Sequence, residues 1–351
     1  MKPTLFEIAV VLSSAVFLIA PMFVAQAAGA GDDFVLGIYG NANEDGTIDM
    51  RDITYAARII LWLEEETELA DANNDGRVSV ADMTQIGLII LGRESELTIV
   101  DSADRVVTVK KPLERIVVFT CDILEPMRSL DATEAIVGVN KYTIKKDVFF
   151  PEFSDYPNVG STWSPDYEEI LALEPDAVFT YASYGEEIPD KLEELDPSIA
   201  TVCLDCFDPL MYVEEVTKLA YILGRREEAG EFVEFYEGFL NTIMERVSDI
   251  PEEEKTTVYF EAWNDYKTVG TGPGRHMEIV IAGGKNIFDD ISGTVEIDKE
   301  MVIRRDPDVI IRGTWINGFK TDDETKLSEI RDKIMDREEL ADVTAAKEGF
   351  M

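Results

Sequence analysis

Residues 211–248 read MYVEEVTKLAYILGRREEAGEFVEFYEGFLNTIMERVS, and this helix-rich run decides the fold. Its second half has apolar side chains at i, i+3, i+4 and i+7, the spacing of one face of an amphipathic helix. They are Ala229, Phe232, Val233, Tyr236, Leu240, Ile243 and Val247. Pro251 ends the helix, because proline lacks an N–H and disfavours a helical residue before it. A helix over 227–248 would be about 33 Å long, which is enough to connect two lobes.

Similar layouts lie on either side of this run. Residues 170–179 read ILALEPDAVF and residues 302–311 read VIRRDPDVII. Each predicts a short helix, a proline stop and a buried apolar strand. Strands and helices also alternate through both flanks, a pattern typical of parallel sheets. We therefore predict an α/β fold: a first lobe at 97–210, connecting helices at 211–250 and a second lobe at 251–351.

The predicted elements of the two lobes are short. In the first lobe a β-hairpin at 97–109 precedes strands at 115–120, 136–139, 176–180 and 201–204, with helices at 122–130, 166–173 and 188–195. In the second lobe we predict strands at 257–261, 266–269 and 309–312, with helices at 275–282 and 327–335.

Composition and charge limit the possible partners. The 351 residues are 46% hydrophobic and 29% charged, as in a globular protein, but the net charge is −39. Nucleic acid is excluded as a partner, because phosphate contacts need clustered Lys and Arg. Cys203 and Cys206 form a C-x-x-C pair. A zinc site would need two more ligands, and Cys121 and His276 are the only other cysteine and histidine in the chain. A reduced pair or a local disulfide is the simpler interpretation.

The N-terminus is typical of an export signal. Residues 1–27 combine Lys2, an apolar stretch at 8–20 and the small-x-small site Ala25-Gln26-Ala27. An uncleaved segment at 8–24 serving as a short membrane anchor is the alternative. Both interpretations predict a secreted or cell-envelope-associated protein.

Two twelve-residue segments, offset by 30 residues, repeat the pattern of a calcium-binding loop. Oxygen-bearing side chains occupy positions 1, 3, 5, 9 and 12, glycine occupies position 6, and position 7 offers its carbonyl. The predicted ligands are Asn41, Asn43, Asp45, Thr47, Asp49 and Asp52 in loop 1, and Asp71, Asn73, Asp75, Arg77, Ser79 and Asp82 in loop 2. An apolar helix follows each loop, at 53–63 and 83–91.

Aspartate at position 12 and the single exiting helix of each unit resemble a type I dockerin over 35–92. The resemblance implies a small all-α domain that folds on two Ca²⁺ ions and binds a cohesin-bearing protein. Asn41 replaces the usual aspartate at position 1, which makes the first site weaker by one charge. Residues Met50, Arg51, Val80 and Ala81 are candidates for setting the choice of partner, and residues 93–96 are expected to form a linker.

Aromatic and polar residues gather where the predicted strands end. Ligands of open parallel sheets bind beyond the carboxyl ends of the strands, so these positions predict a binding cleft between the lobes. The candidate ligand-binding residues are Tyr142, Trp163, Tyr181, Tyr184, Trp263, Tyr266, Arg275, His276, Arg312 and Trp315. His276 could coordinate a haem or corrinoid metal or donate a hydrogen bond in the pocket.

Residues 97–319 resemble the helical-backbone (class III) substrate-binding proteins of ABC importers. The resemblance rests on the hairpin, on ERIV (114–117), on Gly160 leading to LEPD (173–176), on the long helix and on AGGKNIF (282–288). It implies an extracellular protein that binds a metal chelate, an iron–siderophore, haem or corrinoid, and delivers it to an ABC permease. Glu168 and Glu278 match the two exposed glutamates with which such proteins contact the permease.

Three further expectations follow. The second lobe is expected to be shortened after 327–335, which would expose apolar sheet surface. Catalysis is not expected, since no G-x-S-x-G is present and His276 is the only histidine available as a base. The alternative function is a cell-surface assembly protein whose dockerin is the working part and whose lobes no longer bind a ligand.

Overall fold

The computed structural model describes residues 34–182, 187–272, 274–314 and 323–349. The predicted signal segment and the candidate residues Tyr184 and Trp315 lie outside these ranges. Among the helices that are described, none combines the length and the apolar character needed to cross a membrane.

The dockerin-like region consists of two loops, each followed by a helix. Helix α1 is Met50–Ile60 and helix α2 is Val80–Leu91, with a short 3₁₀ turn at Glu68–Ala70 between them. Both helices begin three residues before the predicted starts, because position 9 of each loop caps the helix. Asp49 accepts a hydrogen bond from Arg51 N, Ser79 accepts one from Ala81 N, and each cap forms a capping box.

The first lobe is a parallel sheet with helices on both faces. Its elements are β1 (Glu96–Val100), β2 (Val106–Lys110), β3 (Ile116–Val118), α3 (Cys121–Ser129), β4 (Ile136–Val139), α4 (Lys141–Ile144), β5 (Gly160–Ser161), β6 (Ser164–Pro165), α5 (Tyr167–Ala172), β7 (Ala177–Thr180), α6 (Glu187–Leu195) and β8 (Ala200–Cys203). A 3₁₀ turn at Pro151–Phe153 follows α4. The parallel strand order is β4-β3-β7-β8, while β1 and β2 form the expected antiparallel hairpin.

Alternate residues of β3 face two different cores. Ile116 and Val118 belong to one apolar cluster, and Val117 belongs to a second cluster that includes Ile170 and Leu192. Burial on both faces explains why the strand reads as a continuous apolar run.

Two helices connect the lobes. Helix α7 is Tyr212–Leu223, and helix α8 is Arg226–Val247, one residue away from the predicted bounds at each end. Gly224 separates them in the left-handed region (φ 69°), where a residue without Cβ is favoured. The rings of Phe235 and Phe239 pack on each other on the exposed side of α8, with centroids 4.9 Å apart.

The second lobe contains a mixed sheet. Its elements are β9 (Thr257–Glu261), β10 (Lys267–Val269), α9 (Arg275–Ile281), β11 (Lys285–Asn286), β12 (Thr294–Glu296), α10 (Lys299–Arg305), β13 (Val309–Arg312), α11 (Glu324–Met335) and α12 (Thr344–Glu348), with 3₁₀ turns at Glu252–Glu254 and Glu338–Leu340. β9 pairs in parallel with β11 and β13 and antiparallel with β10, and β12 pairs antiparallel with β10.

The repeated proline motifs perform the same structural task in both lobes. Asp176 Oδ2 accepts hydrogen bonds from the backbone N–H groups of Glu114 (2.7 Å) and Arg115 (2.8 Å), just before β3. Asp308 Oδ2 accepts from the N–H of Thr257 at 2.8 Å, at the start of β9. Each motif therefore fixes the start of the strand next to its own, and the sequence similarity reflects an equivalent position in the two lobes.

The C-terminal residues cover the second lobe's core. Leu340, Val343 and Ala345 are buried and cluster with Val302 and Ile310. The expected exposure of apolar sheet surface is therefore not found on this face.

The predicted linker at 93–96 is instead an ordered part of the first lobe. Glu94 is buried and forms an ion pair with Lys111, and Glu96 begins β1. The chain before α1 also pairs with β1: Tyr39 N donates to Thr98 O (2.9 Å) and Val100 N donates to Gly37 O (2.8 Å). The dockerin-like region is thus joined to the lobe by backbone hydrogen bonds.

One apolar core spans the dockerin-like region, the first lobe and the connecting helices. Its buried residues include Ile38 and Ile89 from the first, Ile99 from the hairpin, and Leu219 and Ile222 from α7. Burial of apolar surface stabilises a folded protein by about 25 cal/mol per Å². The contact between the dockerin-like region and the first lobe is therefore part of the folded state and not a loose association.

Helix α8 contributes a cap to the dockerin-like region. Arg226 Nη1 donates to Ile89 O at 2.8 Å and Nη2 donates to Ile90 O at 3.3 Å, at the carboxyl end of α2. The same guanidinium lies 5.0 Å from the centroid of the Tyr221 ring, and the Tyr221 hydroxyl accepts from Ile48 N at 3.4 Å. A positive charge at this end of a helix is stabilised by the helix dipole.

A buried carboxyl group joins α7 to the hairpin and to the end of β8. Glu215 Oε1 accepts from the Ser102 hydroxyl and, at 2.9 Å, from Asp205 N. Burial raises the pKa of Glu215 to about 7, although the hydrogen bonds from Ser102 and Asp205 N and the charge of Lys218 oppose this shift.

We predict that Arg226→Ala lowers the free energy of unfolding by about 2 kcal/mol, because the carbonyls at the end of α2 lose a charged donor. Chemical denaturation followed by circular dichroism measures this. Arg225→Ala is the matched control, since Arg225 makes only partly exposed ion pairs with Glu134 and Glu228 and its loss should cost less than about 1 kcal/mol. Equal effects of the two variants would contradict a structural role for the Arg226 cap.

The raised pKa of Glu215 predicts a pH dependence. Between its ordinary pKa of 4.5 and about 7 the folded state holds the proton and the unfolded state does not, so this group's contribution to stability falls as pH rises through that window. Relative to the unmodified chain, Glu215→Gln should gain up to about 3 kcal/mol across the window and change little above it. Stability measured from pH 4 to 9 tests this, with the exposed Glu231→Gln as control; parallel profiles for all three proteins would refute it.

Candidate functional site

The carboxyl ends of the first lobe's strands meet at one edge of the sheet, where the predicted cleft lies. The Tyr181 hydroxyl, after β7, donates to Asp122 Oδ2, at the start of α3. Ala182 N donates to Asp205 Oδ1 at 2.9 Å, which links the ends of β7 and β8. The Tyr181 ring also packs edge-on against Phe207, with centroids 5.9 Å apart.

Charges from both lobes meet at this edge. Burial raises the pKa of Glu125 on α3, and the neighbouring Asp122 raises it further. Lys146, Arg128 and Arg275 act in the opposite direction. Arg275 belongs to α9, so a charge of the second lobe also acts on Glu125. Burial and then Asp122 also raise the pKa of Tyr181, so its hydroxyl remains a donor at neutral pH.

A close approach between the lobes occurs beside the connecting helices. A Cβ added at Gly274, which precedes α9, would lie 3.4 Å from Phe207 Cδ2. Gly274 also has φ 74°, a conformation that other residues rarely adopt. The loop before α9 therefore packs against the loop after β8.

Three of the predicted aromatic residues have large exposed fractions. The exposed fractions are 48% for Tyr142, 71% for Trp163 and 46% for Trp263. Tyr142 follows β4 and Trp163 lies in the turn between β5 and β6, whereas Trp263 follows β9 in the other lobe. The Trp263 ring has Lys267 Nζ 4.4 Å from its centroid.

Two of the predicted ligand-binding residues are engaged inside the second lobe. Arg312 forms an ion pair with the buried Glu261 at 2.5 Å, and Arg337 contacts the same carboxylate at 2.7 Å. The Tyr266 hydroxyl donates to Glu339 at 2.9 Å. Tyr266 has φ 55° and so lies outside the strand predicted at 266–269. These contacts tie the C-terminal segment to the sheet. They hold the side chains of Arg312 and Tyr266 within the second lobe and do not direct them toward a ligand.

The remaining second-lobe candidates lie on α9. His276 Nδ1 is 3.3 Å from Asn286 Nδ2, and that amide also donates to Val269 O at 2.8 Å. Arg275 Nη1 donates to both carboxylate oxygens of Glu278, at 2.6 and 2.8 Å. Glu168 on α5 is exposed, as is Glu278.

Sequence patterns missed two residues of this edge, Glu125 and Phe207. Glu125 lies nearly one helical turn after Asp122, so its position on the same face of α3 was a usable signal. For Phe207, which follows the C-x-x-C pair, no local signal distinguished a cleft residue from a core residue.

The three cysteines are buried free thiols. Burial raises the pKa of Cys203 to about 12, although the Arg105 guanidinium lowers it, and burial likewise raises the pKa of Cys206. Thiols that are protonated at neutral pH are poor nucleophiles and poor metal ligands.

The donor chemistry of the two dockerin loops fits a hard cation. The position-12 carboxylates are buried and face into their loops: Asp52 accepts from Asn43 N (3.2 Å) and Asp49 N (2.7 Å). Asp82 accepts from Asn73 N (3.1 Å) and Ser79 N (2.7 Å). Throughout the described ranges, no three or more His, Cys, Asp or Glu side chains are placed as a metal-holding group. Any ion would therefore depend on amide, hydroxyl and carbonyl oxygens as well as carboxylates.

A cavity of about 490 Å³ lies where the dockerin-like region meets α7, and it extends to Phe207. Acidic residues dominate its lining, among them Glu68, Asp101, Asp208 and Glu214, together with Lys218. Lys218 is paired with Glu214 at 2.7 Å. The cavity marks the junction between the two parts of the chain, and none of the predicted ligand-binding residues lines it.

Comparison with known families identifies both parts of the chain. The family described as "Periplasmic binding protein" matches residues 116–350, about two thirds of the chain. The "Dockerin type I domain" matches residues 39–88.

Curated relatives share low sequence identity. The molybdate-binding protein MolA of Haemophilus influenzae is 24% identical over 235 residues, which cover 60% of this chain and 67% of that protein. A cobalamin-binding protein of Halobacterium salinarum is 22% identical over 222 residues, covering 61% and 57%. The chain spans between 57% and 67% of the lengths of such relatives.

Solved structures agree with the fold. MolA bound to molybdate superposes with a TM-score of 0.60 at 22% identity, covering 72% of this chain and 81% of that one. The haem-binding protein HutB of Vibrio cholerae gives 0.54 at 18% identity, covering 67% and 86%. The α/β class and the class III likeness predicted from the sequence are thereby confirmed.

The family binds solutes and does not catalyse reactions, in agreement with the expectation that this chain is not an enzyme. With a family match over two thirds of its length and a second match ahead of it, the chain belongs to the periplasmic binding protein family and carries an N-terminal type I dockerin domain.

Proposed function

We propose that this protein is the extracellular solute-binding component of an ABC importer, and that it captures a metal chelate of the iron–siderophore, haem or corrinoid class. Its dockerin would tether it, in a calcium-dependent manner, to a cohesin-bearing protein of the cell envelope. Export would follow from the signal segment at 1–27. The main support is the exposure of Tyr142, Trp163 and Trp263 beside strand ends of both lobes.

Exposed aromatic rings suit a flat ligand with its own π system. Aromatic faces stack favourably on conjugated rings, and an exposed tryptophan gains buried area when a ligand covers it. The relatives differ in cargo, since their names specify molybdate, cobalamin and haem. The fold alone therefore does not specify the ligand class, which depends on the side chains of the cleft.

Delivery requires contact with a permease through both lobes. We assign this contact to Glu168 and Glu278, one in each lobe, both of which are exposed. Glu278 is paired with Arg275, so docking of Glu278 onto a permease arginine would exchange one guanidinium partner for another.

Attachment would use the exposed side of the dockerin. Met50 and Val80 occupy equivalent positions in the two repeats and are 65% and 67% exposed. Leu61 and Leu91 form a second equivalent exposed pair. Calcium bound in the loops would neutralise their carboxylates and hold the starts of α1 and α2. The alternative function, an assembly protein whose lobes bind nothing, shares this half of the proposal.

We predict saturable binding of one chelate class to the full-length chain. Isothermal titration with hemin, cyanocobalamin, a ferric hydroxamate and sodium molybdate identifies the class. If only molybdate binds, the proposed ligand changes from a metal chelate to an oxyanion. Trp163→Ala and Trp263→Ala should each weaken binding about tenfold, because each removes an aromatic contact. Trp62→Ala is the matched control, since Trp62 lies in the dockerin and is 93% exposed.

If none of the four compounds binds to a sample that circular dichroism shows to be folded, the result would favour the assembly protein. Equal weakening by Trp62→Ala would contradict binding in the cleft.

We further predict that calcium stabilises the chain and permits capture by an immobilised type I cohesin. At a free calcium concentration of about 100 times the dissociation constant, each site should add about 3 kcal/mol to the free energy of unfolding. Asp45→Ala combined with Asp75→Ala removes one carboxylate per loop and should abolish both effects. Glu65→Ala with Glu66→Ala, an equal charge change at exposed positions, is the control. Capture that persists in EGTA would refute the calcium-dependent tether.

A further inference from the structure

The two calcium loops differ in one contact that the repeat alone does not show. Position 11 is Arg51 in loop 1 and Ala81 in loop 2. Arg51 folds back over its own loop: Nη1 lies 2.9 Å from Asp45 Oδ2, and Nε lies 2.9 Å from Asp49 Oδ2. Its Nη2 donates to Thr47 Oγ1 at 3.0 Å.

These contacts place a permanent positive charge on predicted ligand positions 5, 7 and 9. The guanidinium donates to carboxylate oxygens that a calcium ion would need, and it supplies part of the charge neutralisation that the ion would supply. In loop 2 the nearest equivalent is Arg77, whose Nε remains 3.8 Å from Asp75 Oδ1 and whose side chain is 78% exposed. The only ion pair described on the loop 2 carboxylates is therefore a longer and largely exposed one.

The residue at position 1 also makes loop 1 the less negative of the two loops. The buried Asn41 uses its amide as a donor, to Leu36 O at 2.9 Å and to Asp45 O at 2.6 Å. The equivalent Asp71 only accepts, from Asp75 N at 3.0 Å and Gly76 N at 2.7 Å. Loop 1 is thus braced by neutral and ionic contacts within the protein, whereas loop 2 presents a carboxylate.

Loop 1 is also braced from outside. Ile48 at position 8 is buried in the shared core, and its N–H donates to the hydroxyl of Tyr221 on α7. Loop 2 residue Val78, at the same position, is only partly buried. Packing against the lobe supplies order that an isolated loop would have to obtain from its metal ion.

We propose that Arg51 is a built-in counter-cation that holds loop 1 in its folded form at low calcium and makes it the weaker site. Loop 2 is then the site that calcium fills first, and loop 1 fills only when calcium displaces the guanidinium from Asp45 and Asp49. This inference rests on the proposed calcium binding by the dockerin.

Calcium titration calorimetry of the full-length chain and its variants tests the proposal. The unmodified chain should show two classes of site. Arg51→Ala should tighten the weaker class by about fivefold or more, because it removes a positive charge that lies 2.9 Å from two predicted ligand carboxylates and would repel a doubly charged ion. Arg58→Ala makes the same charge change near the other end of α1, where Arg58 pairs with Glu64, and should leave both affinities within about twofold, because solvent and salt screen a charge outside the loops.

The reciprocal variant Ala81→Arg should weaken the tighter class by a similar factor. Arg51→Gln serves as a second neutral variant, and thermal melts at saturating calcium verify that each protein is folded. The proposal is overturned if Arg51→Ala and Arg51→Gln leave the weaker site unchanged or weaken it, or if Arg58→Ala produces the same gain. A chain that binds no calcium at all would instead remove the proposed function of the dockerin.

Discussion

Helix α7 is buried on most of its surface, and the arrangement of the whole molecule depends on this. Eight of its twelve residues are buried, three of them charged. Buried charges are tolerated only when paired, so Lys218 is held by Glu214 at 2.7 Å and Glu215 by Ser102 and Asp205 N. Its apolar residues contact the dockerin and the first lobe in a single core. Helix α7 therefore both begins the connection between the lobes and fixes the position of the dockerin.

Much of the fold could be predicted because local sequence patterns specify it. The strands at 136–139, 257–261 and 309–312 have the predicted bounds, since continuous apolar runs between turn residues specify them. Calcium-loop periodicity and the family match agree on the dockerin. Errors arose where backbone conformation overrides pattern: Tyr266 reads as the start of a strand, but its φ of 55° excludes it.

The binding edge and the domain junction were harder to predict, because their partners are distant in sequence. Arg312 follows a strand as a cleft residue would, yet its partner Glu261 lies 51 positions away. Glu94 stands in a charged stretch that resembles a linker, and only the fold brings it to Lys111. A charged residue at the end of a strand is equally suited to a ligand and to an ion pair, so local sequence does not choose between them.

The pairing of residues 37–39 with β1 has a mechanical consequence. A protein attached to a cell surface through a flexible linker can yield to tension at the linker. Here Tyr39 N donates to Thr98 O and Val100 N donates to Gly37 O across the junction, and Arg226 caps the end of α2. Tension applied through the dockerin would therefore be transmitted directly to the first lobe and to the helices that connect the two lobes.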